Sequence, residues 1–156
     1  MAQEIERKFL VKGDFRPLAS RKMQIAQGYL SSHAERTVRI RICDERAFLT
    51  IKGKSEAGGA VRYEWEKEID VEEGRELLKL CEPGMVEKCR YLVPFGKYCF
   101  EVDEFHGKNE GLILAELELT DLHETLELPD WLGEEVTGDA RYYNAMLSRH
   151  PFQEWR

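Results

Sequence analysis

The chain has 156 residues, 42% of them hydrophobic, with 30 acidic against 23 basic side chains and a formal charge of −7. That length suits one domain with a core of its own, here residues 1–156, and leaves too little for two. The acidic balance argues against non-specific nucleic-acid binding, which draws on a basic surface stripe. No stretch approaches the roughly 20 apolar residues of a membrane helix, and MAQEIERKFLV lacks the basic-then-apolar pattern of a leader. The expectation is a cytoplasmic protein with neither a membrane nor a nucleic-acid partner.

Apolar residues recur with period two through most of the chain, which is the signature of half-buried strands. In order, the pattern predicts strands over 3–11, 24–31, 36–43, 46–53, 61–70, 86–93, 97–104 and 111–119. A short helix is predicted over 14–20. Between two of the strands Gly58 and Gly59 mark a loop. Asp70 caps a helix carrying Val71, Leu77, Leu78, Leu80 and Cys81, with Glu72 and Glu73 in its first turn and Pro83 and Gly84 to end it. A last helix is predicted over 140–148. The fold class is therefore mainly β (α+β): eight antiparallel strands closed into a barrel, which removes exposed edges, with helices packed outside.

Cys43, Cys81, Cys89 and Cys99 form no C-x-x-C pair and read as small buried apolar residues rather than zinc ligands or disulfides. His33, His106, His123 and His150 are scattered and carry no assigned chemistry.

The polar faces of the strands carry the functional signal. Because side chains alternate along a strand, Glu4, Glu6 and Lys8 share one face and Ile5, Phe9 and Val11 the other, with Arg7 an exception among them. Arg39 and Arg41 alternate with Val38, Ile40 and Ile42; Thr50, Lys52 and Lys54 with Leu49 and Ile51. Arg62, Glu64, Glu66 and Glu68 follow, then Lys88 and Arg90, Glu101 and Asp103, and finally Glu116 and Glu118. One such face is ordinarily a solvated exterior. Long charged residues of both signs on strand after strand instead predict the lining of a wide polar lumen. Eight inward cations, Lys8, Arg39, Arg41, Lys52, Lys54, Arg62, Lys88 and Arg90, call for a polyanion such as a phosphate chain. The facing carboxylates call for divalent metal between them and the phosphates. Lys54, beside the glycine loop, reads better as a rim charge.

The opening Glu4-Ile5-Glu6-Arg7-Lys8 matches the E-x-E-x-K signature of the CYTH superfamily, the triphosphate tunnel metalloenzymes. The sequence resembles bacterial members of that family along nearly its whole length: QGYL at 27–30, VRIR at 38–41, LTIKGK at 49–54, YEWE at 63–66, VEKCRY at 86–91, EVDEF at 101–105, AELEL at 115–119 and GEEVTGDARYYN at 133–144. The resemblance implies an eight-stranded tunnel that hydrolyses inorganic triphosphate to pyrophosphate and orthophosphate. Nucleoside or thiamine triphosphate hydrolysis and class IV-type adenylyl cyclisation are its enzymatic alternatives, and a non-catalytic polyphosphate or nucleotide sensor is the alternative from another class.

Under this resemblance Glu4, Glu116 and Glu118 surround a Mg²⁺ or Mn²⁺ ion, and Glu6 with Glu64 or Glu66 holds a second ion and the attacking water. Arg39, Arg41, Lys52, Arg62, Lys88 and Arg90 bind the phosphate chain. Lys8, Glu6 and Lys88 are the candidates for the catalytic step, Lys8 either as a base or as a simple phosphate contact. Asp103 reads equally well as a metal ligand or as the partner that holds an arginine. Arg141, Tyr142 and Asn144 reach a tunnel mouth or belong to a packed amphipathic helix. Tyr29, Trp65 and Tyr91 are packing residues or stacking partners for a base. The oligomeric state is open, with a homodimer among the possibilities.

Overall fold

The computed structural model describes residues 3–155. The eight expected strands are all present: β1 (Gln3–Val11), β2 (Arg21–Ser31), β3 (Arg36–Cys43), β4 (Arg46–Gly53), β5 (Val61–Ile69), β6 (Val86–Phe95), β7 (Tyr98–Phe105) and β8 (Ile113–Glu118). They run antiparallel in the order β5-β4-β3-β2-β6-β7-β8-β1, and β1 closes the barrel on β5. Closure rests on three residue pairs, Gln3 with Tyr63, Glu4 with Arg62 and Ile5 with Val61. The same edge of β1 is then taken over by a ninth strand, β9 (Leu132–Glu135), which pairs with Phe9 and Val11 across a register shift between them. The sequence LGEE has no period-two alternation, so β9 escapes a reading based on periodicity.

Helices cover less of the barrel than expected. α1 (Val71–Leu78) starts where predicted, because the Asp70 carboxylate accepts from the amides of Glu72 and Glu73. It ends sooner, and Leu80 is exposed. It lies close on the wall because Gly74 faces Ala47, where an added Cβ would come within 2.5 Å of the Ala47 methyl carbon. The predicted helix over 14–20 is only a 3₁₀ turn at Arg16–Leu18. Phe15 before it is nonetheless fully buried, and with Trp131 and Leu119 it roofs Phe9, Val93, Phe100, Val102, Ala115 and Leu117 on the outer face of β6, β7, β8 and β1. Edge-on ring contacts, Phe15 with Tyr91 at 5.2 Å and Phe100 with Trp131 at 5.3 Å, fix this roof. Long irregular segments therefore do the work assigned to outer helices.

The last predicted helix is a turn at Ala140–Tyr142 followed by α2 (Asn144–Arg149). Its position is the main surprise of the fold. The inward parity that puts Glu116, Lys88 and Asp103 inside the barrel also puts Leu114, Val86 and Phe105 there. These close around Leu112, Val136, Tyr142 and Leu147, so an apolar plug fills one end. The lumen is thus not polar throughout. Ser148 Oγ donates to the Gly84 carbonyl at 2.6 Å, and Asn109 donates to the Leu147 carbonyl while accepting from the Phe152 amide. Gly138, at φ +83°, lies so near the Gly58 carbonyl that a Cβ would fall 2.0 Å from its oxygen.

All four cysteines are free. Cys89 is buried as expected, whereas Cys99 is exposed and Cys43 and Cys81 are only half-buried. Among the described residues no helix is long and apolar enough to cross a membrane.

Candidate active site

Above the plug the barrel encloses a cavity of about 290 Å³. Seven of the eight expected cations line it: Lys8, Arg39, Arg41, Lys52, Arg62, Lys88 and Arg90. The eighth, Lys54, is exposed outside it. Glu4, Glu6, Glu64, Glu66, Glu116 and Glu118 line it too, joined by Glu101. Asp103 does not. Glu68, read as an inward residue, pairs with Arg46 at 2.6 Å in exposed positions, and Arg7 turns outward to a two-pronged pair with Glu135.

The two signs of charge are segregated. On one side β6 and β7 bring Arg90 opposite Asp103 in register, and the guanidinium makes two bonds to that carboxylate, at 2.8 and 3.0 Å. Lys88 Nζ is 2.8 Å from the same carboxylate. Both Lys88 and Asp103 are 1% exposed. Asp103 is therefore saturated by cations, which hold its pKa far below the carboxylate range against the cost of burial. Arg90 also reaches Glu101 at 3.4 Å and Arg39 reaches Glu66 at 3.5 Å, whereas among the described residues Arg41 makes no ion pair and bonds only to the neutral Gln27. Burial, Arg39 and Arg90 push the Arg41 guanidinium down to about 9. Burial, Arg90 and Arg41 outweigh Asp103 and bring Lys88 down to about 7. Arg39 donates to Thr50 Oγ1 at 3.1 Å, but its Nε is buried without a partner. This half of the cavity is short of negative charge.

The opposite half is short of positive charge. Burial, with Glu116 and Glu4 close by, raises Glu6 to about 8. Burial also raises Glu4, which Lys52 opposes at 2.9 Å, and Glu118, which faces Glu4 and Glu101. Glu116 sits where the halves meet: despite burial, Lys8, Arg90 and Lys88 hold it well below the usual range. Lys8 Nζ is 3.4 Å from Glu116, and the pull of Glu116 and Glu6 outweighs burial to keep its pKa raised. Lys8 is thereby fixed as an ammonium.

Sequence reasoning gave no role to Gln27 and Thr37, which join Thr50, already placed on the inward face beside Lys52. Gln27, Thr37 and Thr50 are buried polar residues that link cations to the wall. They share the inward parity, but uncharged side chains do not stand out beside the apolar Ile25 on the same face of β2. Tyr29, read as packing or a base-stacking residue, is buried and lines the cavity, accepting from Gln27 Nε2. Asn144 comes from α2 and touches both Lys88 and Gln27. Trp65 and Tyr91 do not line the cavity.

The Glu6 environment makes a stability prediction. Its pKa in the folded protein, about 8, lies above its ordinary value of 4.5. Between these two values the folded chain holds a proton that the unfolded chain has released, so stability falls as pH rises through that window. Glu6→Gln, always neutral, removes the penalty. In thermal melts without divalent ions, the variant should gain on wild type steadily from pH 5 to about pH 8 and level off above it. A difference that stays constant across that range would show that Glu6 is not the group responsible.

This arrangement is built to take an anion on one side and a cation on the other. The comparisons with known proteins agree in kind. The sequence matches the CYTH domain family over residues 2–143. It is 43% identical to an inorganic triphosphatase from Acetivibrio thermocellus, over 100% of this chain and 99% of that one. It is 38% identical to an inorganic triphosphatase from Nitrosomonas europaea, over 93% and 96%. The solved structure of the inorganic triphosphatase NE1496 superposes with a TM-score of 0.66 at 33% identity, covering 92% of this chain and 96% of that one. The chain belongs to the CYTH domain family.

Proposed function

We propose that the chain hydrolyses inorganic triphosphate to pyrophosphate and orthophosphate in a metal-dependent reaction inside the barrel. The observation that carries this reading is the division of one cavity into a half short of negative charge and a half short of positive charge. A phosphate chain satisfies the first and a divalent ion the second. The relatives named inorganic triphosphatase supply the substrate.

A divalent ion fits the acidic half, because burial and neighbouring carboxylates raise Glu4, Glu6 and Glu118 even though Lys52 opposes Glu4. Among the described residues no three potential ligands form a ready-made cage. Hard ions such as Mg²⁺ commonly use a few carboxylates and complete their shell with water and substrate phosphate. Glu4, Glu6, Glu116 and Glu118 would hold Mg²⁺ or Mn²⁺, with Glu64 and Glu66 available for a second ion. Bound there, the metal would neutralise phosphate charge as a Lewis acid.

The chain's own residues do the rest by position and charge, which is most of what phosphoryl transfer requires. Arg39, Arg41, Lys52, Arg62, Lys88 and Arg90 grip the phosphates, and the orphan Arg39 Nε finds an acceptor among them. Lys8, held charged by Glu116, donates to a phosphate oxygen or to water rather than acting as a base. Lys88, brought down to about 7, is the lysine able to hold or release a proton at Nζ near neutral pH. Asp103 is assigned to holding Arg90 and Lys88, not to the metal.

Orthophosphate release from tripolyphosphate should depend on added Mg²⁺ or Mn²⁺ and exceed release from ATP at matched metal concentration. Cyclic AMP and pyrophosphate from ATP would instead make the protein a cyclase. Tight tripolyphosphate binding without turnover under any metal would make it a sensor.

A further inference from the structure

The C-terminal plug reaches into the cationic half through one side chain. Asn144, the first residue of α2, presents its amide oxygen to Lys88 Nζ at 2.7 Å and to Gln27 Nε2 at 3.0 Å. Gln27 in turn presents its own amide oxygen to Arg41 Nε at 2.8 Å. The direction of this chain is forced from the Arg41 end. An arginine guanidinium only donates, so Gln27 must offer oxygen to Arg41, and Asn144, which also meets Lys88, must offer oxygen to Gln27. That leaves the Gln27 NH₂ pointing at Asn144, so neither amide can flip without facing a donor with a donor.

The relay holds two cations that the cavity itself repels. Arg41 is pressed by Arg39 and Arg90, and among the described residues its side-chain hydrogen bond goes to Gln27. The neutral Gln27 oxygen tethers Arg41 without cancelling its charge, which stays available to a phosphate, while Lys88 has the Asp103 carboxylate as well as Asn144. A carboxylate in the place of Gln27 would quench the Arg41 charge. Gln27 is fully buried, and its amide is therefore a rigid intermediary rather than a solvated one.

We infer that Asn144 is a positioning residue which, through Gln27, sets the phosphate-gripping geometry of Lys88 and Arg41, so that the C-terminal helix is part of the active-site machinery and not only a stopper. The inference rests on the triphosphatase reading of the cavity. It explains why the plug is anchored at Gly84, Asn109 and Gly138: an amide that positions two cations has to be held as firmly as they are.

The test is a double-mutant cycle of Asn144→Leu and Gln27→Leu, read as kcat/KM for tripolyphosphate with Mg²⁺ and as tripolyphosphate affinity by calorimetry. Each single variant should lose about tenfold to a hundredfold in kcat/KM, the scale of a hydrogen bond to a charged group. The double variant should lose no more than about threefold beyond the worse single, because the two amides act as one relay. A leucine that merely disturbed the plug would lower the melting temperature and multiply with Gln27→Leu, since Gln27 lies on the barrel wall. Multiplying losses, or wild-type kcat/KM in Asn144→Leu, would overturn the inference while leaving the triphosphatase reading intact. A wild-type protein that neither binds nor hydrolyses tripolyphosphate would overturn that reading itself.

Discussion

Asp103→Ala should melt roughly 10–15 °C below wild type and lose tripolyphosphatase activity, although Asp103 does not line the cavity. Its carboxylate takes both prongs of Arg90 and the ammonium of Lys88 in positions almost wholly shielded from water. Removing one member of a buried ion cluster leaves the others charged and unpaired, at a cost of about 3–5 kcal/mol. In a chain of this size each kcal/mol shifts the melting temperature by about 2–4 °C. Here Lys88 loses its carboxylate and Arg90 keeps only Glu101, at 3.4 Å, beside a third cation, Arg41, so a cost well inside that range is expected. Asp103→Asn should fall between, because it keeps an acceptor oxygen and gives up the charge. The two readings open at the sequence level also separate. A metal ligand would leave the metal-free melt near wild type and abolish any gain in melting temperature from Mg²⁺ or Mn²⁺. A holder of Arg90 and Lys88 does the reverse: the metal-free protein is destabilised and the gain persists.

That distinction marks how far alternation can be read. Parity alone places Glu4, Glu6, Lys8, Arg39, Arg41, Lys52, Lys88, Arg90, Glu116 and Glu118 around one lumen, because a closed sheet gives every strand only an inside and an outside. Which inward residue meets which depends on register, and register is fixed by hairpin and bulge geometry rather than by pattern. The pairing of Arg90 with Asp103 lies beyond the pattern for that reason. So does the plug. Val86, Phe105 and Leu114 are inward apolar residues that look like any strand core, and only the return of Val136, Tyr142 and Leu147 from the far end of the chain shows what they pack against. Asn144 was within reach of a tunnel mouth on sequence grounds, yet its partners Lys88 and Gln27 are 56 and 117 residues away. The short β9 and the irregular roof over Phe9 and Phe100 have no period to detect.

Arg41→Met should move stability and activity in opposite directions. The guanidinium is pushed far below its ordinary value, to about 9, by burial and by Arg39 and Arg90, so at neutral pH its charge is carried at a cost. A base whose folded pKa is depressed penalises the folded state at every pH below that value, and the penalty fades only as pH rises through about 9. The gap corresponds to a few kcal/mol, part of it screened by the cavity's solvent. Against it stands the loss of the bond to Gln27, which leaves a buried acceptor unmade at about 1–3 kcal/mol. The combined penalty of burial and repulsion is the larger of the two, so the metal-free variant should melt a few degrees above wild type. Its kcat/KM for tripolyphosphate should fall about a hundredfold, or ~2.7 kcal/mol, because the same crowding of cations is what a phosphate chain relieves on binding. Active sites that hold like charges together give up stability for function in this way. A variant melting below wild type would show that the tether to Gln27 outweighs that combined penalty. A variant with full activity would remove Arg41 from the phosphate grip.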